Sequence, residues 1–325
     1  MREGGSAQGG HGRERARAAR FAQGFSLLLA LAYGLMVLGA LVRAHGAGLA
    51  CPDWPLCFGE LVPRLDFHVA FEWGHRVVAG SVSLIFAALA IGVARDPALR
   101  RAAGRPVLLA TALLCVQVVL GGLTVLHLLA SWTVTAHLVT ANAFALTLLF
   151  IVLQLRSAAG AEPGAAEPIA PALRALVTAS AAVLALEIVL GGLVSSRYAG
   201  LACDQWPACK AGTFFPLSDF AAGLHVLHRL AAYALALLLA LSARAARDTA
   251  GLARPTRVAL ALVTAQIALG VANVLLRIPV EVTALHTATA AALVLTTAVC
   301  VRAVWLRPLG AIAAAPAHEP AGSRG

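Results

Sequence analysis

Eight apolar runs, each about 20 residues long, constrain this chain more than any other feature. They cover about 24–43, 69–93, 106–126, 132–155, 172–195, 222–243, 256–276 and 282–306. A run of that length spans the hydrocarbon core of a bilayer as a helix. Inside lipid the backbone must satisfy its own hydrogen bonds, which an isolated strand cannot do. The expected fold class is therefore all-α integral membrane, with eight transmembrane helices and the lipid bilayer as its surroundings. Composition closes off the alternative: 60% hydrophobic and 12% charged residues stand against about 25% charged in soluble domains. The formal net charge of +10 does not point to nucleic acid. Its arginines lie in tails and short loops, with no basic face or aromatic platform.

The distribution of those arginines sets an orientation. Arg13, Arg15, Arg17 and Arg20 precede the first run, and Arg95, Arg100, Arg101 and Arg105 separate the second from the third. Arg156 and Arg174 flank the fourth-to-fifth connection, Arg244, Arg247, Arg254 and Arg257 the sixth-to-seventh, and Arg302 and Arg307 close the eighth. By the positive-inside rule both termini are cytoplasmic. The connections at about 44–68, 127–131, 196–221 and 277–281 then face outside. A secretory signal would have a shorter apolar core and a small-residue cleavage site. Phe25 to Val42 is instead read as the first membrane helix.

The chain divides at a Pro/Ala-rich connection, and its two parts are copies. The expected segments are a basic cytoplasmic tail (1–23), a four-helix bundle (24–157), a cytoplasmic linker (158–171), a second four-helix bundle (172–307) and a cytoplasmic tail (308–325). Val37-Leu38-Gly39-Ala40-Leu41-Val42 matches Val189-Leu190-Gly191-Gly192-Leu193-Val194, and Gly48-Leu49-Ala50-Cys51 matches Gly200-Leu201-Ala202-Cys203. His75-Arg76 recurs as His228-Arg229, Gln117 as Gln266 and His137 as His286. Four helices is an even number, so the second copy inserts the same way up as the first. The expectation is two tandem parallel four-helix bundles, N-in and C-in.

Polar and ionisable residues inside such spans are costly and mark functional sites. His75 and His137 each fall about one and a half turns into a helix entering from the outer side, at roughly 8–9 Å depth. Two imidazoles at matched depth on neighbouring helices of a four-helix bundle suit the two axial positions of a haem. His228 and His286 repeat the arrangement. A single membrane histidine is ordinarily an interhelical hydrogen bond, and two ligands without a nearby thiol are few for bare zinc or copper. Arg76 and Arg229 are candidate partners for haem propionates, with snorkelling to headgroups as the other reading.

Glu72 breaks the symmetry, because the repeat puts His225 at its place. That difference suggests a first site that reacts and a second that carries electrons, with Glu72 handling protons. His225 is left as a spare ligand, a propionate partner or a loop residue. In the outer loops, Cys51-Pro52-Asp53-Trp54-Pro55-Leu56-Cys57 and Cys203-Asp204-Gln205-Trp206-Pro207-Ala208-Cys209 share C-x5-C around a Trp-Pro. In an oxidising compartment these read as disulfides Cys51–Cys57 and Cys203–Cys209, either clamping the loop or exchanging electrons; a four-thiolate zinc site is the other reading. Cys115 and Cys300 read as packed, inert thiols. Gln117 and Gln266 read as interhelical hydrogen-bonding groups, and Gly121-Gly122 and Gly191-Gly192 as close-approach positions. His45, His68 and His127 have no counterparts and read as solvated loop or edge residues.

With these residues in view, residues 24–306 resemble bacterial haem A synthases of the type that carries cysteine pairs, a family shared with mitochondrial cytochrome oxidase assembly haem A synthases. The resemblance rests on Gly48 to Cys57, Glu72-Trp73-Gly74-His75-Arg76, Ala136-His137-Leu138, Cys203 to Cys209, His228-Arg229 and Leu285-His286. It implies oxidation of the C8 methyl of haem O to a formyl group, by two successive hydroxylations through an alcohol and a gem-diol, giving haem A for terminal oxidases. It implies substrate haem between His75 and His137 with Glu72 essential nearby, and prosthetic haem b between His228 and His286. The implied partners are an electron donor, such as a quinol, and the haem O synthase that precedes it. Family members without cysteine pairs make the disulfides supportive rather than chemical, and no family role carries over to His225. Two rivals predict different outcomes. A di-haem cytochrome b would carry electrons for quinone without modifying haem, and a parallel-repeat transporter would hold no haem.

Overall fold

The structure is a computed structural model that describes residues 4–160, 168–216 and 218–306. The described residues form eight long helices and no strand: α1 (Gly4–Ala44), α2 (Phe67–Arg95), α3 (Pro97–Leu126), α4 (Ser131–Ala158), α5 (Pro171–Ser196), α6 (Phe220–Ala245), α7 (Ala253–Leu275) and α8 (Val280–Trp305). All eight contain stretches long and apolar enough to cross a membrane. The expected tail 308–325, Arg307 and most of the expected linker lie outside the described residues.

Two helices run well beyond their apolar cores. α1 begins at Gly4 rather than near residue 24, and from Arg17 onward the turns ahead of its apolar core have something to pack on. Ala18, Ala22 and Phe25 are buried with Phe86, Val93, Leu99 and Ala103, and Arg17 pairs with Asp96 at 2.9 Å. α3 starts at Pro97 rather than 106. Asp96 caps it by accepting from the Ala98 and Leu99 amides, and Leu99, Ala103 and Val107 bury one face while Arg100, Arg101 and Arg105 stay exposed. Spacing of three and four residues makes that face continuous. The charges that hide this turn from a hydropathy reading are on its other side.

Helices α1 and α3 each pack against both α2 and α4, and α5 and α7 each pack against both α6 and α8. Between the two sets, α1 meets α8, and α4 meets α5 and α8. Lipid supplies no hydrophobic drive between helices, so close packing and polar contacts hold them together. Phe25, Phe86 and Phe144 interlock edge to face, with centroids 6.4 and 5.6 Å apart. The Tyr33 hydroxyl donates to the Ala288 carbonyl at 2.8 Å, Thr135 Oγ1 lies 3.1 Å from Ser196 Oγ, and Arg43 Nε donates to Ser195 Oγ at 2.8 Å.

The repeat extends to the backbone of the connections. Asp66 and Asp219 each cap the helix that follows. Leu128 and Leu129 adopt positive φ, and so do Arg277 and Ile278 at the same place in the second half. Leu129 lies against Gly48, and Ile278 against Gly200. In each half, therefore, the long and short loops meet at one end of the helices.

Candidate active site

His75 lies eight positions beyond the first residue of α2, and His228 eight beyond the first residue of α6. His137 and His286 lie six positions beyond the first residues of α4 and α8.

Each ring is seated against a glycine of a neighbouring helix. A Cβ on Gly39 would come within 3.1 Å of His75 Cε1, and one on Gly191 within 3.2 Å of His228 Cε1. The same distance is 3.4 Å for Gly121 against His137 and for Gly270 against His286. Close approach at Gly121 and Gly191 thus has a definite object, and Gly39 and Gly270 complete the set of four. Gly122 has a separate task. Its missing side chain admits the Trp54 indole, whose Cδ2 would lie 3.1 Å from a Cβ there. The second half has Val271 at that place, and Trp206 instead donates to the Tyr233 hydroxyl at 3.1 Å.

The residue one turn before each glycine differs in kind. Gln117 precedes Gly121 and donates to His137 Nε2 at 3.2 Å. Gln266 precedes Gly270. Before Gly191 stands Glu187, buried, with Oε2 2.5 Å from His228 Nδ1 in an approach oblique to the ring N–H. Before Gly39 stands Leu35. Sequence reading passed over Glu187, although a carboxylate inside an apolar run was the signal that could have found it.

Nδ1 of each of the four histidines, His75, His137, His228 and His286, is buried without a hydrogen-bond partner. Buried ring nitrogens left unpaired are costly and call for an explanation. Iron coordination between paired imidazoles fits this donor set. No cluster of three or more His, Cys, Asp or Glu suited to a bare metal ion occurs among the described residues.

Glu72 is buried and has both oxygens engaged. Oε2 accepts from the Cys51 amide at 2.9 Å, and Oε1 accepts from Arg76 Nη2 at 2.6 Å. Arg76 also donates to the carbonyls of Asp53 (2.7 Å), Leu56 (2.5 Å) and Cys51 (3.3 Å). Arg229 donates to the matching carbonyls of Gln205 (2.9 Å), Ala208 (3.1 Å) and Cys203 (3.4 Å). Both arginines thus fasten the cysteine loops to the helices that carry the histidines. Most of their donors are spent there rather than on headgroups. His225 is a buried residue of α6 whose Nδ1 lies 3.0 Å from the Ala199 carbonyl.

The cysteines pair as Cys51–Cys57 and Cys203–Cys209. Within the first loop Asp53 accepts from the Phe58 and Gly59 amides at 2.7 and 2.8 Å. Those bonds, Gly59 foremost, hold its carboxyl below the usual carboxylate range. Gln205 accepts from Gly212 in the second loop. Cys300 is buried as expected, while Cys115 is exposed on the outside of α3. His45 is not a bare loop residue: it packs on Phe67 and Phe71, with centroids 5.1 and 4.7 Å away. His127 lies beside Trp132.

The family profile described as cytochrome oxidase assembly protein (COX15-CtaA) matches residues 25–71 and 66–299. The chain belongs to that family. It is 30% identical over 315 residues to the haem A synthase of Shewanella oneidensis, covering 83% of this chain and 93% of the relative. It is 33% identical over 265 residues to the haem A synthase of Symbiobacterium thermophilum, covering 78% and 84%. A third haem A synthase, from Methylobacterium sp. (strain 4-46), is 30% identical over 316 residues, covering 81% and 86%.

Proposed function

We propose that this chain is a haem A synthase that oxidises the C8 methyl of haem O to the formyl group of haem A. The observation that carries the reading is an unlike pair of sites on like scaffolding. Both halves seat two histidines on glycines at matched helix positions, yet Glu72 stands in the first half where His225 stands in the second. Two equivalent electron-carrying haems would need no such difference, so the di-haem carrier is not favoured.

The first half is the substrate site, with His75 and His137 binding the haem O iron and Glu72 as the catalytic residue. Glu72 is held between the Cys51 amide and Arg76. From that fixed position it takes a proton from the reacting methyl or stabilises positive charge developing there. In the second half His228 and His286 would hold haem b, which would supply one-electron transfer between the substrate site and an external redox partner such as a quinone–quinol couple. A haem O synthase in the same bilayer supplies the substrate. Arg76 and Arg229 keep the cysteine loops closed over the two mouths, and their remaining N–H donors are available to propionates. Each half is a four-helix bundle, a reading supported by helix contacts that close within 4–160 and within 168–306. The arginine distribution supports an outer-facing position for the cysteine loops.

The decisive experiment purifies the protein from cells that supply haem O, then extracts and separates its porphyrins. Haem b together with haem O, its alcohol or haem A is the expected result. Glu72→Ala should lose only the oxidised products. Haem b alone in both halves, unchanged in Glu72→Ala, would make the protein an electron carrier and overturn the reading.

A further inference from the structure

The four histidine seats differ in one respect that the repeat does not require. In three of them the residue one turn before the seating glycine is a polar side chain: Gln117, Gln266 or Glu187. In the fourth it is Leu35. Only one of the three is a carboxylate, and it faces His228. Glu187 is buried, its Oε1 has no hydrogen-bond partner, and its Oε2 stands 2.5 Å from His228 Nδ1, too oblique to the ring N–H to form a hydrogen bond as the ring now stands. A carboxylate in mid-helix among apolar residues is too costly to be there for packing alone.

We propose that Glu187 is a positioning residue for the second-half haem. A small rotation of the His228 ring brings its Nδ1–H into line with that carboxylate, and the resulting bond fixes the ring so that Nε2 faces the iron and makes His228 the strongest donor of the four histidines. This rests on the assignment of haem b to His228 and His286. Carboxylate–histidine–metal arrangements raise ligand basicity and lock ring orientation. A more basic axial ligand favours the ferric over the ferrous ion and so lowers the reduction potential. A low-potential haem is the better reductant toward a neighbouring site. It is also held more tightly, as befits a group that stays through every turnover. His75 has Leu35 at the equivalent position and lacks such an acceptor, which leaves it a weaker ligand suited to a haem that must depart as product. The repeat thus divides into resident and exchanging sites through one residue on α5 as well as through Glu72.

The test compares wild type with Glu187→Leu, which copies the first-half residue, and Glu187→Gln, which keeps an acceptor oxygen of the same shape. The readouts are haem b per chain by pyridine haemochromogen, the midpoint potential by spectroelectrochemistry, and the ferric electron paramagnetic resonance spectrum. Glu187→Leu should weaken haem b retention about 10–100-fold and raise the potential. A tenfold change in the ferric-over-ferrous preference is about 59 mV. Glu187→Gln should keep the haem with a smaller rise in potential, which separates a folding defect from loss of the donor push. Unchanged potential and resonance spectrum in both folded variants would overturn the inference while leaving the haem assignment intact. Haem b retained with an unaltered spectrum in His228→Ala would overturn the assignment itself, and the inference with it.

Discussion

Replacing Arg76 by alanine should cost far more stability than replacing Arg229, and the repeat supplies the internal control. Both arginines donate to the carbonyls of three corresponding loop residues: Cys51, Asp53 and Leu56 in one half, Cys203, Gln205 and Ala208 in the other. In the difference between Arg76→Ala and Arg229→Ala those contributions largely cancel. What remains is Glu72, whose side chain is only 6% exposed and whose Oε1 loses its cation. Removing one partner of a buried ion pair costs about 3–5 kcal/mol, because the other charge is left unpaired. The lower figure is already a factor of about a hundred in the folding equilibrium. The assay is unfolding in detergent followed by helical circular dichroism, on equal footing for both variants. The double variant Glu72→Gln/Arg76→Ala should recover most of the difference, since a glutamine still accepts from the Cys51 amide and leaves no charge behind. Equal losses in the two single variants, or no recovery in the double, would refute the assignment of Glu72 as the buried partner whose charge Arg76 supports.

The glycine seats make a graded prediction. Alanine at Gly39 or Gly191 puts a Cβ 3.1–3.2 Å from an imidazole and must push the ring aside, whereas at Gly121 or Gly270 the 3.4 Å contact is ordinary. Haem absorbance per chain should therefore fall in Gly39→Ala and Gly191→Ala and stay near wild type in the other two. Asp53 predicts a pH effect on the first loop. Its carboxyl is held below the ordinary value of 3.8 by the Gly59 and Phe58 amides and the Arg76 charge. Its contribution is therefore fully present above that pH and is lost as the pH falls through the lowered value. The acid-side decline in thermal stability below about pH 4 should be shallower in Asp53→Asn, which has already lost the contribution at neutral pH.

Most of the architecture was readable because bilayer thickness imposes a minimum apolar length on every spanning helix. The sequence could not give the true start of α1 or α3. There Ala18, Ala22, Leu99 and Ala103 bury a face of small residues that a hydropathy window averages with the arginines opposite. The four histidines were readable because duplication placed them twice at corresponding positions. The same device concealed Glu187: comparing copies rewards what they share, and Leu35 offered nothing to compare. Duplication did expose Glu72, whose counterpart His225 is itself ionisable and so caught attention. The carbonyl partners of Arg76 and Arg229 were out of reach, since backbone acceptors leave no mark on a sequence.

The matched helix positions of the histidines have an electrical consequence. If haems occupy the two sites as proposed, an electron passing from the second half to the first would move parallel to the membrane plane. A charge carried across the whole bilayer exchanges about 2.3 kcal/mol with every 100 mV of membrane potential. A charge moved within one plane exchanges almost nothing. On that reading, transfer between the two haems would proceed at the same rate in a fully energised membrane as in a discharged one. The proposed oxidation of the methyl group would then be independent of the gradient that the finished oxidase later builds.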